Sequence, residues 1–207
     1  MIFISFFVLK YEVGKKETIA YISKIDRIFH NLEKLMSDFK QRYLEFCKPF
    51  VESLKDVYKT MMRCELTHEA PKLKTNSIAS GDYSALMGIN GKYEFGGIKK
   101  NFKGSLVISW PEECYIKTAS AMLMEEYKEY NDEISDVGLE ICNITMGNAK
   151  NILNQLGYFI EMSIPNSIHG KNHEINSQKG VVTIVTPFSS PLGNVFVELN
   201  YEDFDLK

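Results

Sequence analysis

The side chains best suited to chemistry lie in one stretch, DVGLEICNITMGNAKNILNQLG, which covers residues 136–157. Its apolar residues recur at helical spacing, so the sequence predicts an amphipathic helix that ends at Gly157. Glu140 and Asn143 are three positions apart and therefore lie one turn apart on one side of this helix. A carboxylate forms charge-assisted bonds with a cation, and a carboxamide can both donate to and accept from a water molecule.

The face that carries this pair differs from an ordinary solvated helix face, which is rich in Lys, Glu and Gln. With Ile141 at 0° on a helical wheel, the outward arc from about −80° to −160° holds Asp136, Glu140, Asn143, Gly147, Asn151 and Asn154. The opposite arc predicts a core stripe of Gly138, Cys142, Thr145, Ala149, Ile152, Leu153 and Leu156. A glycine in an exposed helix interior costs about 1 kcal/mol relative to alanine, and close approach by another surface would explain it. Asp136, Gly147 and Asn151 are therefore candidate partner-binding residues.

Spacing alone does not distinguish a site from a solvated helix face. A chain with this much Glu and Asn is expected to contain roughly one E-x-x-N by chance. The glycine and the run of asparagines favour a functional face only modestly, so the surrounding sequence has to decide between the two interpretations.

The elements around this helix predict an α+β fold. Helical spacing covers residues 15–46, a second helix has Pro49 in its first turn, and a third follows Pro111. Predicted strands are residues 84–89, 105–110, 158–164, 180–188 and 193–199. The glycines between Gly91 and Gly104 indicate a long hairpin connection or a flap. Strands in this order pair mainly antiparallel, with the helices packed on a face of the sheet.

Composition excludes several classes of function. The net charge of −3 and the absence of a basic block give nucleic-acid binding little electrostatic support. The first nine residues are apolar, but a membrane span needs about 20 and a signal peptide needs a preceding basic region, so we predict no membrane insertion. The four cysteines, Cys47, Cys64, Cys114 and Cys142, are far apart, which indicates reduced, mostly buried thiols in a cytoplasmic protein.

Histidines offer the only hint of a metal site. His169 and His173 lie four residues apart in a polar turn region, but no third ligand is evident, so we interpret the region as a solvated turn and predict no metal site. No Walker loop, G-x-S-x-G or G-x-G-x-x-G motif is present in the sequence.

From about Phe46 to Tyr201 the chain resembles the CheX branch of the CheC/CheX/FliY family of chemotaxis phosphatases. The resemblance rests on blocks that occur in family order: FVESLKDVYKTMM, SIASGDYSALMGINGK, GSLVISWPEECYIKTASAMLMEE, DEISDVGLEICNITMGNAKNILNQLG, SIPNSIHG and TPFSSPLGNVFVEL. Each block alone is weakly informative, whereas their joint match is specific.

The resemblance implies a pseudo-symmetric CheC/CheX-like fold in which long helices pack on a mainly antiparallel sheet. It implies a phosphatase domain over residues 46–207, with residues 1–45 as an N-terminal extension made of a short apolar segment and an amphipathic helix. The implied activity is hydrolysis of the aspartyl phosphate of a phosphorylated CheY-type response regulator. Glu140 would dock on the regulator's lysine, and Asn143 would orient the attacking water.

The resemblance also implies partners and cofactors. Mg²⁺ in this reaction belongs to the regulator, so the chain is expected to need no cofactor of its own. CheX-type proteins are homodimers joined through their sheets, and the C-terminal strands are candidates for that role. One catalytic helix is expected, because the first-half helix has Glu52 followed by Lys55 where the motif would need asparagine. The extension and the connection between Gly91 and Gly104 depart from the family. The alternative is a non-catalytic interaction module of the chemotaxis or flagellar-switch system that binds a regulator without hydrolysis.

Overall fold

One antiparallel sheet forms the framework of the fold in the computed structural model, which describes residues 30, 44–95, 97–177 and 181–204. The strands are β1 (Thr67–His68), β2 (Lys72–Leu73), β3 (Tyr83–Phe95), β4 (Ile98–Trp110), β5 (Tyr158–Met162), β6 (Asn166–His169), β7 (Thr183–Ser190) and β8 (Gly193–Phe204). The helices are α1 (44–61), α2 (Glu112–Leu123) and α3 (Val137–Gln155).

The strands follow the order β1-β7-β8-β4-β3-β5, with β2 paired to β7 and β6 paired to β3. All of these pairs are antiparallel. The predicted α+β class with a mainly antiparallel sheet is therefore confirmed.

The three helices pack on one face of the sheet, because alternate residues of the long strands point to that side. On β3 these residues include Ala85 and Ile89, which are almost fully buried. On α1, the ring of Phe46 lies 4.6 Å from the ring of Tyr201 on β8, measured between centroids. A hydrogen bond of 2.7 Å from Trp110 Nε1 to Tyr58 Oη joins β4 to α1. The core thus fixes the helices on a rigid sheet.

The connection between Gly91 and Gly104 is a regular hairpin, so the predicted long connection or flap is wrong. β3 and β4 pair without interruption from Tyr83↔Trp110 to Phe95↔Ile98. Gly91 faces Phe102, and a side chain at position 91 would collide with the carbonyl oxygen of Phe159 on β5 and with the Phe102 ring. The glycine therefore allows close packing inside the sheet and does not mark a loop.

Two other local predictions need correction. Residues 44–61 are continuously helical, so Pro49 lies inside α1 and not in the first turn of a helix. The apolar face of α1, with Phe46, Phe50 and Leu54 fully buried, compensates for the backbone hydrogen bond that proline cannot donate. The short strands β1, β2 and β6 were missed because their residues are all exposed and show no alternation.

Residues Leu44–Lys207 form one compact unit. The extension predicted for residues 1–45 falls almost entirely outside the described residues, and its boundary with the domain stays a prediction. Among the described helices, none combines the length and the apolar character that crossing a membrane requires.

Candidate functional site

The helix α3 buries one side against the sheet and leaves the other open. Val137, Ile141, Cys142, Thr145, Met146, Ala149 and Leu153 are among its buried residues. Two members of the predicted core stripe, Ile152 and Leu156, are 40% and 50% exposed. They lie at about 20° and 60° on the wheel, whereas Ala149 and Leu153, which are fully buried in the same part of the helix, lie at about 80° and 120°.

The five predicted site residues all lie on the open side of α3. Asp136, Glu140, Asn143 and Asn151 are exposed, and Gly147 is half-buried. Among the described residues, none is in hydrogen-bonding or ion-pair contact with the side chain of Glu140 or of Asn143. The two side chains are therefore available to a partner, one turn apart on a rigid helix.

Gly147 has no packing reason within the described part of the chain. A Cβ built on this residue meets nothing within 4 Å. Its backbone is not among those with positive φ, so its conformation does not require glycine. Because glycine has no side chain, it leaves space beside Asn143, and another molecule can approach the helix closely there.

The first turn of α3 is anchored by two tyrosines that the sequence did not single out. Tyr115 Oη on α2 donates to the carbonyl oxygen of Ile134 at 2.6 Å and accepts from the Gly138 N–H at 3.1 Å. Tyr83 Oη on β3 donates to the carbonyl oxygen of Ser135 at 2.6 Å. Burial raises the pKa of Tyr115 well above its usual range, so its hydroxyl remains a hydrogen-bond donor at neutral pH.

The surface around the start of α3 is acidic. Asp132, Glu133, Asp136 and Glu140 are exposed there, and the sequence from 129 to 149 contains no lysine or arginine. Acidic side chains at a helix N-terminus are favourable, because the unpaired N–H groups carry partial positive charge. The outward effect is a negative surface that would attract a cationic group of a partner.

The two histidines of the polar region make structural contacts. His173 is half-buried, with Nδ1 at 2.7 Å from the carbonyl oxygen of Gly170 and Nε2 at 2.8 Å from Ser84 Oγ, so the interpretation as a purely solvated turn is wrong for it. The ring of His169 stacks on Tyr130 at 3.8 Å between centroids. Within the described ranges, no three His, Cys, Asp or Glu side chains gather where a metal ion could bind.

The cysteines are free and buried, as the sequence predicted. Burial raises the pKa of Cys142 to about 12 and that of Cys114 to about 11. These thiols remain protonated at neutral pH and are poor nucleophiles. The carboxylate of Glu140 and the carboxamide of Asn143, by contrast, are exposed on α3.

The chain is similar to known proteins in sequence and in fold. The family model described as chemotaxis phosphatase CheX matches residues 83–189, a segment that contains the whole of α3. No curated protein matches the chain significantly.

Several solved structures resemble the chain. A chemotactic CheC-like protein from Shewanella oneidensis is 36% identical, with a TM-score of 0.66, over 77% of this chain and 99% of its own. The chemotaxis protein CheX from Vibrio vulnificus is 35% identical, with a TM-score of 0.66, over 76% of this chain and 99% of its own.

A third match is a complex with a partner. It is the CheX–CheY–BeF₃–Mg²⁺ complex from Borrelia burgdorferi. The matched chain of that complex is 28% identical to this chain, with a TM-score of 0.60, and the match covers 77% of this chain and 98% of the matched chain. The family model covers more than half of the chain, and the Shewanella and Vibrio proteins exceed 30% identity over nearly their whole length. This chain belongs to the CheX chemotaxis phosphatase family.

Proposed function

We propose that this chain is an enzyme that hydrolyses the aspartyl phosphate of a phosphorylated CheY-type response regulator. The observation that carries the proposal is the exposed Glu140–Asn143 pair on α3, which has no partner among the described residues and lies inside the segment matched by the CheX family model. Phosphoryl transfer needs mainly positioning and charge stabilisation from the protein, and two side chains on one rigid helix can supply both.

Glu140 serves to dock the regulator. Its carboxylate lies in the first turn of α3 within the acidic surface, where it would pair with the lysine of the regulator's active site. A charge-assisted bond of this kind fixes the register of the two proteins and contributes to their affinity. The acidic residues nearby support the same role by attracting the positively charged group from a distance.

Asn143 serves to orient the attacking water. Its carboxamide oxygen accepts a hydrogen bond from the water and its amide group donates to the phosphoryl oxygens. The water attacks phosphorus, the bond between phosphorus and the aspartyl oxygen breaks, and the products are inorganic phosphate and the regulator's free carboxylate. The Mg²⁺ in this scheme is bound by the regulator, in line with the Borrelia complex, which was solved with CheY, BeF₃ and Mg²⁺. This chain contributes no cofactor of its own.

Three further residues of the open face, Asp136, Gly147 and Asn151, form the contact surface for the regulator. Asp136 and Asn151 flank the catalytic pair, and Gly147 lets the regulator approach next to Asn143. Among the described helices, α3 alone carries the motif: the corresponding positions on α1 are Glu52 and Lys55, whose side chains pair with each other at 3.6 Å.

A homodimer joined through sheet edges is part of the proposal. The C-terminal strands are not free for it, because β8 lies between β4 and β7, while β7 is flanked by β8 on one side and by β1 and β2 on the other. The edge formed by β5 and β6 has no further strand beside it among the described residues, and Phe159 and Ile164 are 61% and 83% exposed there. Light scattering on Ile164→Glu tests this: a monomer supports this edge as the interface, and an unchanged dimer refutes it.

Residues 46–207 form the proposed phosphatase domain, acting in the cytoplasm, where the four free thiols would stay reduced. Removing residues 1–45 tests this division. Retained phosphatase activity supports it, and loss of folding contradicts it.

Turnover distinguishes an enzyme from a non-catalytic binding module. Phosphate release would be measured with this protein at about one tenth of the concentration of a regulator that is continuously rephosphorylated by a small phosphodonor. An enzyme releases many equivalents of phosphate per molecule. A module that binds without hydrolysis leaves the release rate at the regulator's own value, which would overturn the proposal.

A further inference from the structure

We propose that Tyr115 is a positioning residue for the phosphatase reaction: its buried hydroxyl fixes the first turn of α3 and thereby the direction of the Glu140 side chain. The inference rests on the proposed function and adds to it a residue that does not touch the regulator. Tyr115 is fully buried, on α2, whereas Glu140 is exposed on α3.

The hydroxyl of Tyr115 replaces the missing cap of α3. The first N–H groups of a helix have no acceptor within the helix, and the residue before the helix usually supplies one. Here that residue, Asp136, makes no capping bond with its side chain. The Gly138 N–H donates to Tyr115 Oη at 3.1 Å, and the same hydroxyl donates to the carbonyl oxygen of Ile134 at 2.6 Å. One side chain thus joins the last residues of the loop to the first turn of the helix.

Tyr83 provides a second restraint on the same turn. Its hydroxyl donates to the carbonyl oxygen of Ser135 at 2.6 Å, and its ring stacks on that of Tyr115 with 3.9 Å between centroids. Gly138 lies against both rings, so that α3 begins in direct contact with β3 and α2. The backbone from 134 to 138 is therefore held from two elements.

The position of Glu140 depends on this anchor. No hydrogen bond or ion pair with a described residue orients its side chain, so its direction depends on the backbone of the first turn. The Glu140 N–H bonds to the carbonyl oxygen of Asp136 at 3.0 Å, which links it directly to the anchored segment. Helix ends that lack caps fray, and misplacement of a reacting group by about 1 Å can cost about 100-fold in rate.

The test compares Tyr115→Phe with a matched control, Tyr58→Phe. Tyr58 is also fully buried, and its hydroxyl bonds to Trp110 and Thr118 without contacting α3. Affinity for the regulator loaded with Mg²⁺ and beryllofluoride, which stands in for the phosphoryl group, would be measured by calorimetry. We expect Tyr115→Phe to weaken affinity about tenfold at unchanged stoichiometry, and Tyr58→Phe to bind like the wild type.

A double-mutant cycle separates positioning from general destabilisation. If Tyr115 acts through Glu140, Tyr115→Phe changes affinity by less than about twofold once Glu140 is already alanine. Amide hydrogen exchange at Gly138 and Glu140 should accelerate in Tyr115→Phe and stay at the wild-type rate in Tyr58→Phe. If Tyr115→Phe does not fold, Tyr83→Phe, which removes a single bond to the same turn, takes its place in the cycle.

The outcomes distinguish this inference from the proposed function. If the wild type binds the regulator and Tyr115→Phe binds it with the same affinity, the inference alone is overturned. If Tyr115→Phe lowers the affinity equally in the presence and in the absence of the Glu140 carboxylate, the inference is also overturned, because Tyr115 then has a purely structural role. Wild-type protein that binds no cognate regulator overturns the proposed function, and the inference with it.

Discussion

Gly138 and the ring of Tyr83 lie in such close contact that the ring occupies the space where a Cβ on residue 138 would be. Nine residues further along the same helix, a Cβ on Gly147 would meet nothing within 4 Å. The first glycine is required by packing inside the chain. The second has no such requirement, and the proposed function explains it by a regulator surface that approaches from outside. We therefore expect the two glycines to respond oppositely to substitution.

Gly138→Ala should destabilise the fold. The added methyl group would have to displace the rings of Tyr83 and Tyr115, and overpacking of a buried site costs about 1–3 kcal/mol. Urea unfolding measures the loss directly. An unfolding midpoint equal to that of the wild type would show that α3 is not held against the tyrosines as described.

Gly147→Ala should stabilise the isolated protein by about 0.5–1 kcal/mol, because alanine favours helix and the position is uncrowded. The larger Gly147→Leu should fold as well but weaken binding to the regulator, since its side chain would project into the proposed contact surface. Calorimetry on both variants checks this. Unimpaired binding by Gly147→Leu would remove Gly147 from the interface.

A buried ion pair on the face of the sheet opposite the helices offers a separate test of the fold. Lys74 Nζ lies 2.6 and 2.7 Å from the two carboxylate oxygens of Glu198, and Ser80 Oγ donates to the same carboxylate at 3.1 Å. The side chains of Lys74 and Glu198 are only 8% and 2% exposed. Lys74→Met should lower the free energy of unfolding by about 3–5 kcal/mol, because it leaves a buried charge without its partner.

The matching double variant, Lys74→Met with Glu198→Leu, should recover much of that loss, because no charge remains buried. Chemical denaturation of the single and double variants measures the difference. If both lose the same amount, the cost comes from lost packing and not from an unpaired charge.

Stability should fall at alkaline pH. Burial raises the pKa of Cys142 from its ordinary value of 9.0 to about 12. Between these two values the unfolded chain has released the thiol proton while the folded protein retains it, so the free energy of unfolding decreases as pH rises. Each such thiol contributes a slope of about 1.4 kcal/mol per pH unit across that window, and its stabilising effect is complete below pH 9.

Cys142→Ala isolates this effect. Between about pH 8 and 11, the free energy of unfolding measured in urea should fall less steeply for the variant than for the wild type, by about 1.4 kcal/mol per pH unit. Cys47 and Cys114 still lower the free energy of unfolding as pH rises in both proteins. Identical slopes for the variant and the wild type would mean that the Cys142 thiol titrates normally in the folded state.

The spacing of apolar residues correctly predicted those helices and strands that have one buried side and one exposed side. The stretch 136–157 became α3, Val137–Gln155, because its apolar residues recur at helical spacing and Gly157 follows its end. β6 could not be predicted in this way: its four residues are all exposed, and it forms because it pairs with β3 from Tyr83 to Leu86. Gly91 was wrongly interpreted as part of a long connection for a similar reason, since it accommodates the Phe102 ring of the neighbouring strand.

The same division applies to the candidate site. Helical spacing and the family resemblance were sufficient to place Glu140 and Asn143 on one exposed face. The anchor of that helix was not predictable, because Tyr115 and Gly138 are 23 positions apart in sequence and meet only in the folded protein. A buried glycine at the start of an amphipathic helix was the one local sign that an aromatic ring would pack there.

The decay of the phosphorylated regulator, followed with wild-type protein, with Asn143→Ala and with Asn154→Ala, tests the central claim most directly. Asn154 is an exposed asparagine on the same helix, about 16 Å further along its axis, and serves as the matched control. The account predicts faster decay with the wild type and with Asn154→Ala, and decay at the regulator's own rate with Asn143→Ala. Decay that the wild type does not accelerate, or that Asn143→Ala accelerates equally, would contradict it.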